Sequence, residues 1–348
     1  MRKELFASLA IVGTVALSLA LFTTNTPKST TTFLQQESTW LDEEFAKYIT
    51  HFGKTYATKE EYLYRRTLFE QQLAFIGELS SRNDATVKYR VGLNRFSDLS
   101  DEEFTSRYLG DSGKPEPEGD DKPSLKQAPA VAPIDWRDKG VVGAVKDQGR
   151  CGSCWSFSTV GPVEENYAIK YGKQIVLSEQ QLVDCSWDYG NAGCNGGLFA
   201  QGYQYVQDFG LELAADYPYL ASDGNCTYDG SKVAVNIVGT VSADRSPQGL
   251  KQLLQTGPAS ISLHASDPTF RAYTGGIYNN PDCPTSVNHA VQTVGWGHDS
   301  ESGLDYFIVR NSWGATWGDK GYIKIAESNT TLGICGMLYR VPMLPIIA

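Results

Sequence analysis

Apolar and polar positions change their period several times along this chain, and each change predicts a different element. From Trp40 to about Arg82 the pattern is helical: Glu61, Arg65, Phe69, Gln72, Ile76 and Ser80 recur at intervals of four or three, which stacks them along one side of a helix. Gly92-Leu93-Asn94-Arg95-Phe96-Ser97-Asp98 then predicts a short strand-and-turn unit. Gly110 to Pro129 is rich in Pro, Gly, Asp and Glu and nearly devoid of large apolar residues, so it predicts an exposed linker. Between about Gly140 and Val235 the chain should be mainly helical, with a helix after Cys154 and a second opened by the capping box Ser178-x-x-Gln181. A Gly-rich turn falls at Cys194-Asn195-Gly196-Gly197. From about Ile237 the pattern becomes strand-like, in Ile237–Val241, Ala259–Leu263, His289–Val294, Tyr306–Arg310 and Tyr322–Ala326, which predicts a mainly antiparallel β half. Gly161-Pro162 conflicts with the helix around it and predicts a kink about two turns beyond Cys154.

The N-terminus is of another kind. Arg2 and Lys3 precede the uncharged run Leu5 to Phe22, which reads as a signal peptide over residues 1–22, with an uncleaved membrane anchor as the alternative. Either way the chain enters the secretory route, where disulfides persist. Its 348 residues suffice for one two-part catalytic unit plus an extra segment. A net charge of −10 argues against nucleic acid or an anionic membrane as partner and fits an acidic compartment. Asn225-Cys226-Thr227 and Asn329-Thr330-Thr331 are glycosylation acceptors by sequence.

Seven cysteines, an odd number, leave one thiol free if six pair. The segment Gln148-Gly149-Arg150-Cys151-Gly152-Ser153-Cys154-Trp155 puts a cysteine at a glycine-rich turn running into a helix, a placement suited to a nucleophile. Such a thiol needs a base, and the base needs an orienting partner. Of the four histidines, His51 lies in the charged N-terminal helical pattern, and His264 and His298 read as satisfied core residues. His289 opens a strand-like run, and Asn311-Ser312-Trp313-Gly314 follows it. Asn311 can accept the imidazole N–H, while Trp313 and Trp317 can exclude water from that bond. Gln148 offers a side-chain amide to an oxyanion, and the Cys154 backbone N–H offers a second donor. The helix N-terminus and a protonated His289 would hold Cys154 as the thiolate of an ion pair. Taken alone, Cys151-x-x-Cys154 also suits a redox dithiol or half of a zinc site, and an oxidoreductase using these two thiols is the competing enzyme reading. A third reading makes the N-terminal part, around Asp98, a protease inhibitor on a passive carrier.

With these strings in place, residues from about Ile134 to Pro342 resemble a papain-family cysteine peptidase of the cathepsin L-like branch. Asp135-Trp136-Arg137, Leu177 to Cys185, Gly193-Cys194-Asn195-Gly196-Gly197 and Asn288-His289-Ala290 add to the resemblance. It implies an α+β, papain-like two-domain fold, with a helical left domain and an antiparallel β-barrel-like right domain, preceded by a helical propeptide. The implied organisation is a signal peptide over 1–22, an inhibitory propeptide over 40–109, a linker with the maturation site over 110–129 and the peptidase over 130–348. Glu61, Arg65, Phe69 and Ile76 match one propeptide motif, in which Gln72 and Ser80 replace the usual asparagines. Gly92, Asn94, Phe96 and Asp98 match the other in full.

The resemblance assigns catalysis to Gln148, Cys154, His289 and Asn311, and substrate binding to Gly196, Gly197, Leu198, Phe199, Ser262, Val287 and Trp313. Spacing does not choose among the many cysteine pairings; the resemblance implies Cys151–Cys194, Cys185–Cys226 and Cys283–Cys335, with Cys154 free. The pocket for the side chain second before the cut bond would have largely apolar walls, favouring a bulky apolar residue. Arg340, five residues past Cys335, falls near its floor, where a guanidinium would favour an acidic side chain. The reading that follows is a zymogen of a cysteine endopeptidase acting on proteins and peptides, with its own propeptide as intramolecular inhibitor. It needs no cofactor and no metal, is expected to be a monomer, and acts in the lysosome or vacuole or outside the cell without stable membrane association after signal cleavage.

Overall fold

The computed structural model describes residues 30–82, 84–111, 124–125 and 131–348. The signal peptide over 1–22 and most of the linker expected to hold the maturation site lie outside the described residues. The chain divides into two compact units, 1–83 and 84–348.

In the first unit the helical pattern resolves into two helices, α1 (Thr30–Phe52) and α2 (Lys59–Ser81). The predicted run is interrupted because Gly53 takes a left-handed φ of +60° and Thr58 caps a new helix, its hydroxyl accepting the Glu61 N–H at 3.1 Å. Phe45 and Phe69 are fully buried and Tyr48 nearly so, with ring centroids 5.0–5.2 Å apart across the helix pair. Glu61 and Arg65 face each other at 3.8 Å along α2.

The second unit opens with β1 (Tyr89–Val91), α3 (Asp101–Tyr108), β2 (Ser124–Leu125) and β3 (Ile134–Asp135). A helical stretch follows: α4 (Cys154–Tyr171), α5 (Glu179–Cys185) and α6 (Phe199–Phe209), then β4 (Leu211–Glu212) and β5 (Val233–Val235). The rest alternates β6 (Ile237–Ala243), α7 (Pro247–Leu254), β7 (Ala259–Leu263), α8 (Pro268–Arg271) and β8 (Tyr273–Tyr278) before β9 (His289–Asp299), β10 (Leu304–Arg310), β11 (Tyr322–Ala326) and β12 (Met343–Ile347). The large sheet runs β1-β8-β11-β10-β9-β7-β12-β6-β2, with β3 also on β9. This path is open at both ends and mixed, so the expected antiparallel barrel-like half is corrected to an open sheet. β8 lies outside β11 instead of beside its sequence neighbour β9, and the resulting pairing is parallel, as is β2 on β6.

Two hydrophobic cores result. One is built on the sheet and includes Trp313, Trp317, Phe270, Phe307 and Leu263; the other is gathered around α4 and α6 and includes Trp155, Val160, Leu182, Tyr203 and Val206. Helix α4 is buried on nearly every face from Cys154 to Asn166, so its polar groups need internal partners. Ser158 Oγ donates to Val291 O on β9 (2.7 Å), and Gln292 Nε2 and Arg310 Nη1 both donate to Glu165 Oε1 at 2.8 and 2.9 Å. Pro162 does not break α4. The carbonyl that its missing N–H would have bonded, that of Ser158, accepts the Ser260 hydroxyl from β7 at 2.5 Å instead. Ser178 caps α5 by accepting the Gln181 N–H (3.0 Å), but the reciprocal half of the expected box is absent, because the Gln181 amide turns to Tyr205, Gly210 and Glu212. A full capping box does occur at Ser100 and Glu103, opening α3. His298 corrects the core reading of that residue: it is exposed and paired with Asp305 at 2.7 Å. His264 is half-buried and bonded to Ser286 O and Ser266 Oγ.

Candidate active site

The three disulfides are Cys151–Cys194, Cys185–Cys226 and Cys283–Cys335, and Cys154 is the free, buried cysteine. The first bridge fixes the turn before α4, so the thiol stands at the first residue of an 18-residue helix whose end no side chain caps. That helix terminus presents free N–H groups and a partial positive charge to the sulfur. His289 begins β9 and Asn311 follows the end of β10, which the sheet register brings side by side: His289 Nε2 lies 2.8 Å from Asn311 Oδ1. The Trp313 indole stacks on the imidazole at 4.7 Å between centroids, and Trp313 and Trp317 are fully buried. Next along β9, the Ala290 N–H points at Cys154 Sγ at 3.4 Å.

Gln148 is held by a partner that sequence reasoning did not single out. Ser312, beside Asn311, donates its hydroxyl to Gln148 Oε1 (2.6 Å), and the Gln148 N–H bonds Ser312 O (2.8 Å). The amide nitrogen is therefore turned away from Ser312 and donates to Cys151 O (2.9 Å) and to Tyr108 O (3.0 Å). The motif Asn311-Ser312-Trp313 held that signal, since a hydroxyl beside the orienting residue has few other duties.

The segment Tyr108–Asp111 fills the cleft over these groups. Gly110 and Asp111 are buried, which corrects the expected start of an exposed linker at Gly110. Gly110 O accepts the Gly197 N–H at 2.8 Å, Asp111 forms a parallel bridge with Gly197, and the Asp111 N–H bonds Asn288 O at 3.1 Å. The Gly110 N–H faces the Cys154 sulfur. This approach requires glycine at residue 110, because an added Cβ would lie 1.7 Å from Gly152 O. Upstream, Phe96 and Phe104 meet Trp313 edge-on, each at 5.3 Å. Trp313 is thus covered by residues that come well before Cys154 in the chain.

Covering the site changes its charges. Burial pushes the Cys154 thiol up to about 12, against the Ala290 and Gly110 N–H groups, with the Asp111 carboxylate adding to the rise. Burial also pulls His289 down to about 4, against the bond to Asn311 and the pull of Asp111. His289 Nδ1 has no hydrogen-bond partner among the described residues. In this closed form burial therefore works against the expected thiolate–imidazolium pair and favours the neutral thiol and imidazole, and among the described residues no hydrogen bond joins the two.

Of the residues expected to bind substrate, Gly197 is paired with the covering segment and Ser262 donates to Asp111. Gly196 has a φ of +112°, and a Cβ there would lie 2.7 Å from Gly110 O. Leu198, Phe199 and Val287 are buried. Arg340 is also buried and grips Asp111 with Nη2 at 2.5 Å from Oδ1 and Nε at 3.2 and 3.1 Å from Oδ1 and Oδ2. Among the described residues no cluster of His, Cys, Asp and Glu is arranged to hold a metal ion, and no helix is long and apolar enough to cross a membrane.

Residues 130–342 match the papain family cysteine protease domain, and residues 45–104 match the cathepsin propeptide inhibitor domain (I29). Digestive cysteine proteinase 2 of Homarus americanus is 41% identical over 290 residues, which is 81% of this chain and 89% of that protein. A cathepsin L-like proteinase of Fasciola hepatica is 39% identical over 291 residues, 82% of this chain and 87% of that protein. Among solved structures, the digestive procathepsin L2 proteinase from Tenebrio molitor larval midgut superposes with a TM-score of 0.79 at 34% identity, covering 88% of this chain and 99% of that one. The chain belongs to the papain family of cysteine peptidases and carries a cathepsin-type inhibitory propeptide.

Proposed function

We propose that this papain-family cysteine peptidase is an endopeptidase zymogen in which Cys154 is the nucleophile, His289 the general base and acid, Asn311 its orienter and Gln148 an oxyanion donor. The observation that carries the reading is the joint geometry of a free thiol at a helix N-terminus, an imidazole bonded to Asn311 with Nδ1 left over, and a Gln148 amide nitrogen that donates to Tyr108 O of the covering segment. When the covering segment leaves, water enters, the burial that neutralises both groups is relieved, and the proton passes from thiol to imidazole. The thiolate then attacks the substrate carbonyl carbon, and Gln148 Nε2 with the Cys154 N–H receives the oxyanion. His289 gives its proton to the leaving amine, and a water deprotonated by His289 hydrolyses the resulting thioester.

Inhibition follows from occupancy. In the closed form Tyr108 O takes the Gln148 donor, and the sulfur meets the Gly110 N–H in place of a carbonyl carbon. Six paired cysteines fit an oxidising compartment, so the protein acts in the secretory route, in a lysosome or vacuole or after secretion. Asn225 and Asn329 are exposed and open to glycosylation there. The bulky apolar preference expected from Leu198, Phe199 and Val287 is not carried forward, because the side chain lodged against Ser262 and Arg340 is a carboxylate.

The test is to acidify the purified precursor to pH 4–5 and follow its mass and peptidase activity over time, wild type beside Cys154→Ser. Wild type should shed about 110 residues, the stretch between the signal peptide and the end of the linker, and gain activity. The variant alone should do neither. A precursor fully active at neutral pH without cleavage would remove the zymogen reading.

A further inference from the structure

The Asp111–Arg340 pair joins two parts of the chain that maturation separates. Asp111 stands at the start of the 110–129 linker, ahead of the maturation cut placed in it, whereas Arg340 lies near the C-terminus and stays with the enzyme. Both side chains are buried, at 0% and 1% exposure, and Ser262 on β7 donates to the same carboxylate. The guanidinium meets both carboxylate oxygens, a fork geometry that recognises a carboxylate specifically. The backbone around this side chain is held by Gly197 and Asn288 O, and the preceding residue, Gly110, lies at the Cys154 sulfur. A peptide held in this cleft by the same backbone groups therefore sets one side chain, close to the reacting atoms, where the Asp111 carboxylate now sits.

Resting on the peptidase reading above, we propose that Arg340 is a specificity-determining residue of the mature enzyme and that the pocket it closes with Ser262 selects an acidic side chain, Asp or Glu, close to the cut bond. Asp111 is then the occupant of this pocket in the zymogen, and its departure takes from Arg340 the anion on Nε and Nη2. A peptide carboxylate restores those bonds and the Ser262 bond, whereas an apolar side chain replaces them with nothing. A site built to bond a charged group rejects an analogue lacking it more strongly than an apolar pocket rejects a missing methylene.

The experiment uses the acid-matured enzyme and fluorogenic peptides that differ only at the second residue before the cut bond, with Glu, Asp, Gln, Leu or Phe there. At pH 6–7, kcat/KM for Glu or Asp should exceed that for Leu or Phe by at least about 10-fold and up to roughly 10²-fold. The advantage should shrink towards pH 4, where a free Glu carboxyl of pKa about 4.3 takes up its proton. Arg340→Met should reverse the order, and Ser262→Ala, a smaller change less able to disturb folding, should reduce it several-fold. Faster cleavage of Leu or Phe than of Glu by the wild type would overturn the proposal, with no variant needed. An acid preference that survives in a folded Arg340→Met enzyme would also overturn it. If no peptide is cut and a thiol-directed covalent inhibitor fails to label Cys154, the peptidase reading fails and this inference falls with it; cleavage with the wrong order sinks the inference alone.

Discussion

Beneath the segment Tyr108–Asp111 the cleft holds two buried pairs of polar side chains that differ in how their atoms are partnered. At the catalytic pair, burial raises the Cys154 thiol to about 12 and lowers His289 to about 4, which favours two neutral groups over an ion pair. At the other pocket, the equally buried Arg340 and Asp111 meet in a salt bridge at 2.5 Å. The difference lies in hydrogen bonding, not in depth. Arg340 is met by both oxygens of one carboxylate, which also accepts from Ser262, whereas thiol and imidazole make no bond to each other and His289 Nδ1 has no partner among the described residues. A buried charge is tolerated only where its partner and its remaining donors are satisfied together. One strap thus silences the chemistry on one side while holding a charged key on the other.

The sharpest way to break the comparison is to measure the thiol directly. If closure keeps Cys154 protonated and covered, iodoacetamide at pH 7 should label it in the Gln148→Ala precursor, a slow processor, at least about 10³-fold more slowly than in the mature enzyme. Equal labelling rates in the two forms would mean that the segment neither covers nor neutralises the thiol. A smaller effect tests the donor that the strap occupies. Gln148→Ala in the mature enzyme should lower kcat about 10²–10³-fold with a lesser change in KM, as for loss of one oxyanion donor. A Gln148 variant with unchanged kcat would take that amide out of the mechanism and leave its bond to Tyr108 O as mere packing.

The two pockets were unequally legible in the sequence. Cys154, His289 and Asn311 could be read because each sits at the boundary of an element whose period is plain: the start of α4, the start of β9 and the end of β10. The strands over Ala259–Leu263 and Tyr322–Ala326 have the bounds expected from their apolar residues. The pairing of Asp111 with Arg340 could not be read, since 229 residues separate them and an Asp beside a Pro- and Gly-rich stretch looks solvated. The break at Gly53–Thr58 was hidden for another reason, because helical spacing continues in phase on both sides of a turn only a few residues long. His298 was misread because its strand projects beyond the core, so alternation there no longer reports burial. The Ser178 cap was visible, but the fate of the Gln181 side chain depended on Tyr205 and Gly210, which only tertiary packing brings near.

The smallest expected effect concerns protons. On opening, the wild-type pair moves a proton from thiol to imidazole and takes up none, so between the two pKa values of the open pair it adds little pH dependence. In Cys154→Ser that internal donor is gone, and His289 titrates alone between the closed state, near 4, and an open state near the ordinary 6.5. The sign follows from the depressed value: the closed state has its full stability above pH 6.5 and loses it as pH falls towards 4, because only the open state binds the proton. The groups facing His289 are Asp111, whose charge pulls the imidazole upward, neutral Asn311 and the Trp313 ring, and none reverses this order. From pH 7 to pH 5 the opening constant of Cys154→Ser should rise by roughly 20-fold through His289. Hydrogen exchange of the Gly197 and Asp111 amides, corrected for intrinsic rates, reads this opening in a variant that cannot cleave itself. Adding His289→Asn to the Cys154→Ser precursor should remove most of the rise. If protection falls equally with and without His289, the acid response belongs to other groups and the neutral imidazole of the closed cleft has no part in releasing the strap.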